Sequence, residues 1–240
     1  MEKPRLKYTV KSNKRYVLAV QSTYQEVQVA LFQENRQVEK KNIEKTDSSA
    51  DLIPVLNQML FSSNITLNDL SFIAVNKGPA PFTTLRVVIA SMNGIAFATS
   101  IPVVGINGIK ALLMEADENH RVPTIVLLDA FSNDVYYGFR DAEGSIKTGC
   151  MPVFTFLQEM KVLFEDKMVK FVGNGVIVHK ELIESEFGSQ AMIVDTFSTC
   201  SIDSIARIGI EKWNKKCDVC KQVFPLYLKK QWWHEQLIKQ

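Results

Sequence analysis

The run YVLAVQSTYQEVQVALF, residues 16–32, returns without gaps 108 residues later as TIVLLDAFSNDVYYGFR, residues 124–140. Val17, Leu18, Ala19 and Val20 fall on Ile125, Val126, Leu127 and Leu128. Gln21 falls on Asp129, Glu26 on Asp134, Val27 on Val135 and Leu31 on Phe139. Four consecutive apolar residues bounded by polar ones read as a strand buried on both faces. Each copy therefore predicts a buried strand, a polar turn of about five to six residues and a second strand. Solenoid repeats recur every ~20–50 residues, so a separation this long means two copies of one domain.

Outward from the first copy, Gln37 to Lys45 has the mixed polarity of an edge strand. Leu52 to Phe61 reads as a helix capped by Ser49 or Asp51, with Pro54 tolerated in the first turn. In FIAVNKGPAPFTTLRVVIASMNGIAFA, residues 72–98, a strand ends at Val75 and Gly78-Pro79-Ala80-Pro81 breaks the chain. A helix then runs from Thr83 to Thr99 with Arg86 as its one charge. Strand, Gly/Pro loop and apolar helix can hold a phosphate at the helix N-terminus, and equally form an ordinary α/β corner. Val103–Ile106 is a strand and Ile109–Glu118 a helix. Past the second copy come a strand near 146–150, helix Phe154–Phe164, strand 169–172, helix 176–187 and strand 191–195. The last helix, Ser201–Lys216, is capped by Ser201 or Asp203. Two meander-plus-helix units in tandem match the α/β, duplicated RNase H-like architecture shared by actin, Hsp70 and sugar kinases. The expected division is a basic extension over 1–15, a first RNase H-like unit over 16–107 and a second over 108–200. A C-terminal helix and tail, 201–240, would pack back on the first unit.

An apolar fraction of 46% with 22% charged residues is that of a globular protein. The apolar runs fall short of the ~18–20 residues of a membrane span, and the N-terminus lacks the apolar core of a secretory signal. A cytoplasmic protein with no membrane contact is expected. Charge is uneven: residues 1–15 carry six Lys/Arg against one acid, and 210–240 carry seven against three. The body between has fifteen basic and twenty-two acidic residues. Basic ends on an acidic body suit solvated tails, or attraction to RNA or an acidic partner.

Catalytic and metal signals are sparse. Cys217-x-x-Cys220 is half a zinc site followed only by His234, whereas a tetrahedral site needs four ligands. His120, His179 and His234 are dispersed, and no Gly-x-Ser-x-Gly elbow occurs. The expectation is no catalytic residue and no metal. Gly173-Asn174-Gly175 reads as a tight strand-to-helix turn before it reads as an adenosine contact. Trp232-Trp233 reads as a packing surface before an RNA-stacking one.

The signal that remains is a surface. At about 100° per residue, Leu85, Val88, Ile89, Met92, Ile95 and Ala96 form a bulky arc on the 83–99 helix. Val87, Ala90, Ser91, Gly94 and Ala98 form a small-residue face. Bulky side chains suit the helix's own sheet, and small ones let another helix approach. With Leu52, Leu56 and Met59 from the preceding helix, Val87, Ser91, Gly94 and Ala98 make the candidate partner interface.

The loop and helix at 78–94 resemble the GPGSFTGLR-plus-helix signature of the TsaB (YeaZ) family of tRNA threonylcarbamoyladenosine biosynthesis proteins. Gly78, Pro79, Phe82, Thr83, Leu85, Arg86 and Gly94 match it; Ala80, Pro81 and Thr84 replace Gly, Ser and Gly. YVLAVQST resembles the family's opening strand, with Gln21 in place of its Asp. LIPVLNQML, IPVVGINGIKALL, LLDAFSNDVYYGFR, FVGNG and FPLYLKK follow in the family's order, so the likeness covers Tyr16 to Lys230. It implies the same duplicated fold and a motif loop of Gly78, Pro79, Phe82, Thr83 and Arg86. It also implies a non-catalytic subunit that binds and activates a TsaD-like threonylcarbamoyltransferase, joined by a TsaE-like ATPase and meeting tRNA through the complex. ATP, Mg²⁺ and metal would belong to those partners, the chain having no cofactor of its own, and an isolated chain would be open to homodimerisation. The catalytic partner's His-x-x-x-His metal motif is absent here. A neutral Gln21 is a poor substitute for a carboxylate beside a hard dication, and Tyr24 fills space a phosphate would need. That disfavours the first alternative, a stand-alone actin-fold kinase or glycoprotease-like peptidase. The second, a degenerate paralogue with another partner, is motivated by Ala80, Pro81 and Thr84.

Overall fold

Strand β1 (Tyr16–Ser22) lies at the middle of a six-stranded sheet because Val17 to Val20 are apolar toward both faces and buried on both. The structure, a computed structural model, describes residues 16–117, 122–141 and 143–229. The expectations for the 1–15 extension, His120, His234 and Trp232-Trp233 lie outside them. β1 pairs antiparallel with β2 (Glu26–Gln33), which pairs with β3 (Arg36–Glu44), the outer strand of mixed polarity. On its other side β1 runs parallel to β4 (Leu70–Asn76), and β4 parallel to β5 (Val103–Ile106).

The second sheet repeats this plan. β6 (Thr124–Asp129), β7 (Asp134–Arg140) and β8 (Ile146–Pro152) form the meander, and β9 (Val169–Val172) and β10 (Ala191–Val194) add in parallel. The orders β5-β4-β1-β2-β3 and β10-β9-β6-β7-β8 correspond strand for strand, so the sequence repeat is a structural one. The turns inside the copies are tighter than expected, since pairing continues to Ser22↔Val27 and Asp129↔Val135. The first sheet carries one strand the apolar pattern does not reveal: β11 (Val219–Cys220), two residues long, on the outer edge of β5.

Helices fill three layers. α1 (Ser48–Ser62) and α2 (Phe82–Thr99) cover one face of the first sheet, meeting Leu18, Val20, Leu31, Ile73 and Val75. α3 (Gly108–Ala116) and α7 (Ile202–Asn214) lie on its other face, in a core that also takes Val126, Leu128 and Val172 of the second sheet. α4 (Val153–Phe164) and α6 (Lys180–Phe187) close the far side of the second sheet around Phe156 and Phe171. Side chains such as Leu56, Met92 and Phe156 are fully buried, each contributing roughly 1.5–3 kcal/mol.

Helix ends follow local chemistry. Asn107 Oδ1 accepts from the Ile109 and Lys110 amides, at 3.0 and 3.1 Å, and starts α3. Ser201 Oγ accepts from the Ser204 amide at 3.1 Å and starts α7. α1 begins earlier than expected, at Ser48, with Asp47 in the cap position and no side-chain cap bond. The helix expected over 176–187 is two, α5 (Asn174–Val178) and α6, broken at His179 (φ −112°, ψ 23°). α2 has 18 residues and a mean hydropathy of 1.3, so by length and composition it could cross a membrane, contrary to the sequence expectation. Here Leu85, Val88, Ile89, Met92 and Ala96 pack on the sheet, and α2 serves as a core helix.

Candidate functional site

The C-terminal ends of β1, β4, β6 and β9 converge where the two sheets meet. Gln21, last but one in β1, is fully buried: its Nε2 donates to Gln28 Oε1 at 2.7 Å and to the Cys200 carbonyl at 3.0 Å. Its Oε1 accepts from Asn76 Nδ2 at 3.2 Å and from the Cys200 thiol at 3.5 Å. Asn76 Oδ1 in turn accepts from the Gly78 amide at 2.9 Å, tying the Gly/Pro loop into this network. The Tyr24 hydroxyl spans the gap and donates to the Asp129 carbonyl at 2.5 Å. Burial, reinforced by Tyr136 and Asp129, pushes its phenol well above the usual range. Asp129 Oδ1 accepts from the Phe131 amide at 2.9 Å, and its own amide donates to Asn174 Oδ1 at 3.2 Å. Gln21, Tyr24 and Cys200 thus join the two halves, while Ser22 Oγ beside them is buried with no hydrogen-bond partner among the described residues. A phosphate with its dication would have to displace Tyr24 and would meet an amide where a carboxylate is needed.

Burial pushes the Cys200 thiol up to about 12, with nearby Glu115 acting in the same direction. Because the folded value lies above the ordinary thiol value of 9.0, this stabilisation is complete below pH 9 and is lost as pH rises toward 12. In urea unfolding, the wild type is expected to lose roughly 2–3 kcal/mol more than Cys200→Ala between pH 8 and pH 11. Equal losses in the two proteins would show that Cys200 is not held in this environment. At neutral pH a maleimide should modify exposed Cys217 promptly and Cys200 only on unfolding.

The motif loop is gathered by the C-terminal segment. Gly78 has φ +100°, and a Cβ there would stand 2.8 Å from Leu85 Cδ2. Pro81 occupies the N-cap position of α2, where a missing N–H is tolerated, and Thr84 is buried in the helix's first turn. The Arg86 guanidinium lies 3.6 Å over the Phe82 ring, and its Nε donates to the Tyr227 hydroxyl at 3.2 Å. Residues 219–229 form a strap. After β11, Asn93 bonds both the amide and the carbonyl of Val223, at 2.9 Å each. The Leu226 amide then meets the Lys77 carbonyl at 2.8 Å, and Lys229 Nζ reaches the Ala130 carbonyl at 2.9 Å and Asp134 at 2.8 Å.

The candidate interface residues separate into two groups. Leu52, Leu56 and Met59 are buried against the first sheet and unavailable to a partner, a correction to the sequence reading. Their apolar spacing identified the inner face of α1. Val87 and Ser91 are half-buried, and Gly94 and Ala98 are exposed on the outer side of α2, with no atom within 4 Å of a Cβ built at Gly94. Two further exposed groups escaped the sequence reading: Phe97, 91% exposed on α2, and Phe61, 87% exposed at the end of α1. The signal for Phe97 was its place three residues past Gly94 on the small-residue stripe.

Two sheets whose five common strands follow the same order, joined through buried side chains at their strand ends, define a duplicated α/β protein of the RNase H-like class. A family model described as "TsaD: tRNA N6-adenosine threonylcarbamoyltransferase" matches residues 42–231, and the chain belongs to that family. Among curated relatives, the tRNA threonylcarbamoyladenosine biosynthesis protein TsaB of Haemophilus influenzae is 27% identical over 122 residues. That alignment covers 50% of this chain and 52% of the relative, about half its length. TsaB of Buchnera aphidicola subsp. Baizongia pistaciae is 24% identical over 228 residues, covering 88% of this chain and 97% of the relative. The crystal structure of a Pseudomonas aeruginosa protein similar to peptidase YEAZ superposes with a TM-score of 0.70 at 20% identity. It covers 89% of this chain and 99% of that one, and shows the fold.

Proposed function

We propose that the chain is a TsaB-type, cytoplasmic, non-catalytic subunit of a complex that makes threonylcarbamoyladenosine in tRNA. It binds a TsaD-like threonylcarbamoyltransferase through the outer face of α2 and holds that enzyme in its active state. The observation that carries this reading is the exposed stripe of Gly94, Ala98 and Phe97 on the outer side of α2. A TsaD-like subunit would cover that stripe. A TsaE-like ATPase joins the complex, tRNA enters through it, and ATP, Mg²⁺ and metal reside on the partner subunits. Gln21, Tyr24 and the Asp129 carbonyl, bonded to one another's surroundings, support the absence of a nucleotide of its own. Among the described residues no three His, Cys, Asp or Glu side chains are grouped to hold a metal.

Reconstitution tests the reading. Threonylcarbamoylation of tRNA by the TsaD-like enzyme should need this chain, and equal product without it would refute the proposed role. The isolated chain should hydrolyse neither ATP nor peptide bonds. Steady-state ATPase activity that co-purifies with the chain and disappears in Asp129→Asn would overturn the non-catalytic assignment. Self-association through the same stripe is the second reading, because an exposed apolar face without its partner can be covered by a second copy.

A further inference from the structure

We infer that the chain carries its own contact surface for RNA, a basic face at the junction of α7, β11 and the tips of β4 and α3. This rests on the tRNA-modification reading and names a direct contact where that reading supplies only an indirect one. Lys212 Nζ bonds the Gly105 carbonyl at 3.2 Å and Asp218 at 2.8 Å. Lys212 first, then Lys77 and Lys110, hold the Asp218 carboxyl below the usual carboxylate range. Lys77 also packs across Gly105, the residue whose carbonyl Lys212 takes. Lys215, Lys216 and Lys221 project from the turn that flanks Asp218 and are exposed. Among the described residues none of Lys77, Lys110, Lys215, Lys216 or Lys221 has an ion-pair partner.

The acids that could neutralise the face are engaged. Asp218 is taken by Lys212, Glu211 pairs with Arg207 at 3.3 Å, and Glu115 accepts from the Ser201 amide at 2.9 Å. Lys212 thus bonds Asp218, and Lys77 and Lys212 meet at Gly105. Exposed Lys215, Lys216 and Lys221 flank Asp218 along the chain, in a protein whose body, residues 16–209, is acidic overall. Exposed ammonium groups without ion-pair partners suit the phosphates of a nucleic-acid backbone, and no sequence readout is implied. The strap that begins here leads to Tyr227 and Phe82, 55% and 47% exposed with ring centroids 5.9 Å apart and Arg86 beside them. Such an aromatic and guanidinium pair stacks unpaired bases, which favours RNA over an acidic protein.

The test is fluorescence anisotropy of full-length chain with a labelled, unmodified tRNA transcript across 50–200 mM salt. The variant is the triple change Lys215→Gln, Lys216→Gln and Lys221→Gln. Its matched control, Lys40→Gln with Lys41→Gln on β3, removes exposed charge elsewhere. The triple variant is expected to bind about tenfold or more weakly at 50 mM salt, with a salt slope smaller by about 2–3, one unit per lost phosphate contact. The control should bind like wild type. Unchanged affinity and slope in the triple variant overturn the inference, as does equal binding of polyglutamate and tRNA by the wild type. Capture of the TsaD-like subunit is measured on the same triple variant. Retained capture with lost RNA binding supports the RNA face, while failure of the wild type to capture that subunit is a failure of the preceding reading alone.

Discussion

Gly94→Leu leaves the chain folded and weakens its association with a TsaD-like subunit. The helix gains, since Leu is favoured over Gly in a helix by roughly 0.5–1 kcal/mol. The interior loses nothing, because no atom stands within 4 Å of the new Cβ. At an interface the account reverses. A glycine on a stripe with Ser91 and Ala98 lets a second helix approach closely, and an isobutyl group inserted there separates the two backbones. Ordinary interfaces bury ~1,200–2,000 Å² in total, and a wedge near the centre removes contact from many residues at once. Overpacking costs ~1–3 kcal/mol in a core that can relax, and a penalty of that size at the interface is a loss of roughly 5- to 150-fold in affinity. Circular dichroism and thermal melting report the fold; capture by a tagged TsaD-like subunit and size-exclusion report association. A variant that captures its partner like wild type places the interface elsewhere. Phe97→Asp on the same stripe should behave alike, without changing the glycine.

The largest effect on stability is expected at Gly173. A Cβ at this position would lie 2.1 Å from the Leu127 carbonyl oxygen and 2.9 Å from the Leu127 carbonyl carbon. Those atoms belong to the central strand of the second sheet and cannot swing aside as a side-chain tip can. The residue also has φ +110° and ψ 159°, a region essentially confined to glycine, where another residue costs of order 1–3 kcal/mol. Its amide donates to the Phe197 carbonyl at 2.7 Å, so the turn cannot easily be moved to relieve the collision. Gly173→Ala is expected to cost about 4 kcal/mol, lowering the melting midpoint by roughly 8–16 °C for a chain of this size. Gly188→Ala separates strain from collision: φ is again positive, +51°, but nothing lies within 4 Å, and a cost of about 1 kcal/mol should result. A Gly173→Ala melting point within 2 °C of wild type would mean that the β9–α5 turn is not packed on Leu127 as described.

Gly173-Asn174-Gly175 illustrates how a motif acquires its meaning. In sequence it is a weak Gly-x-Gly that fits a nucleotide contact or a tight turn. In the fold both glycines lie against the backbone of β6, with Gly175 also 3.0 Å from the Asp129 amide at its would-be Cβ, and the motif is explained by close packing. Gln21 is a similar case. Its neutral amide argued against a dication, but its use was invisible, because its partner Cys200 lies 179 residues away.

What the linear chain determined was the architecture. Strands buried on both faces must be apolar throughout, so the four-residue runs at 17–20 and 125–128 announced themselves, and their repetition disclosed the doubled plan. Helix periodicity likewise separated the bulky and small sides of α2, because burial selects for side-chain size at a spacing that sequence preserves. Three things waited for the tertiary structure. Leu52, Leu56 and Met59 have the same spacing whether they face a sheet or a partner, and only the position of the sheet shows that they are core. β11 is two residues long and pairs through backbone groups alone, so it leaves no side-chain pattern. Lys77 and Lys212 are 135 residues apart in the sequence, and they meet only because the end of β4 and α7 both pack at Gly105, beside Asp218. Periodicity records what a segment packs with its own neighbours, whereas a surface assembled from distant segments is written in no local pattern.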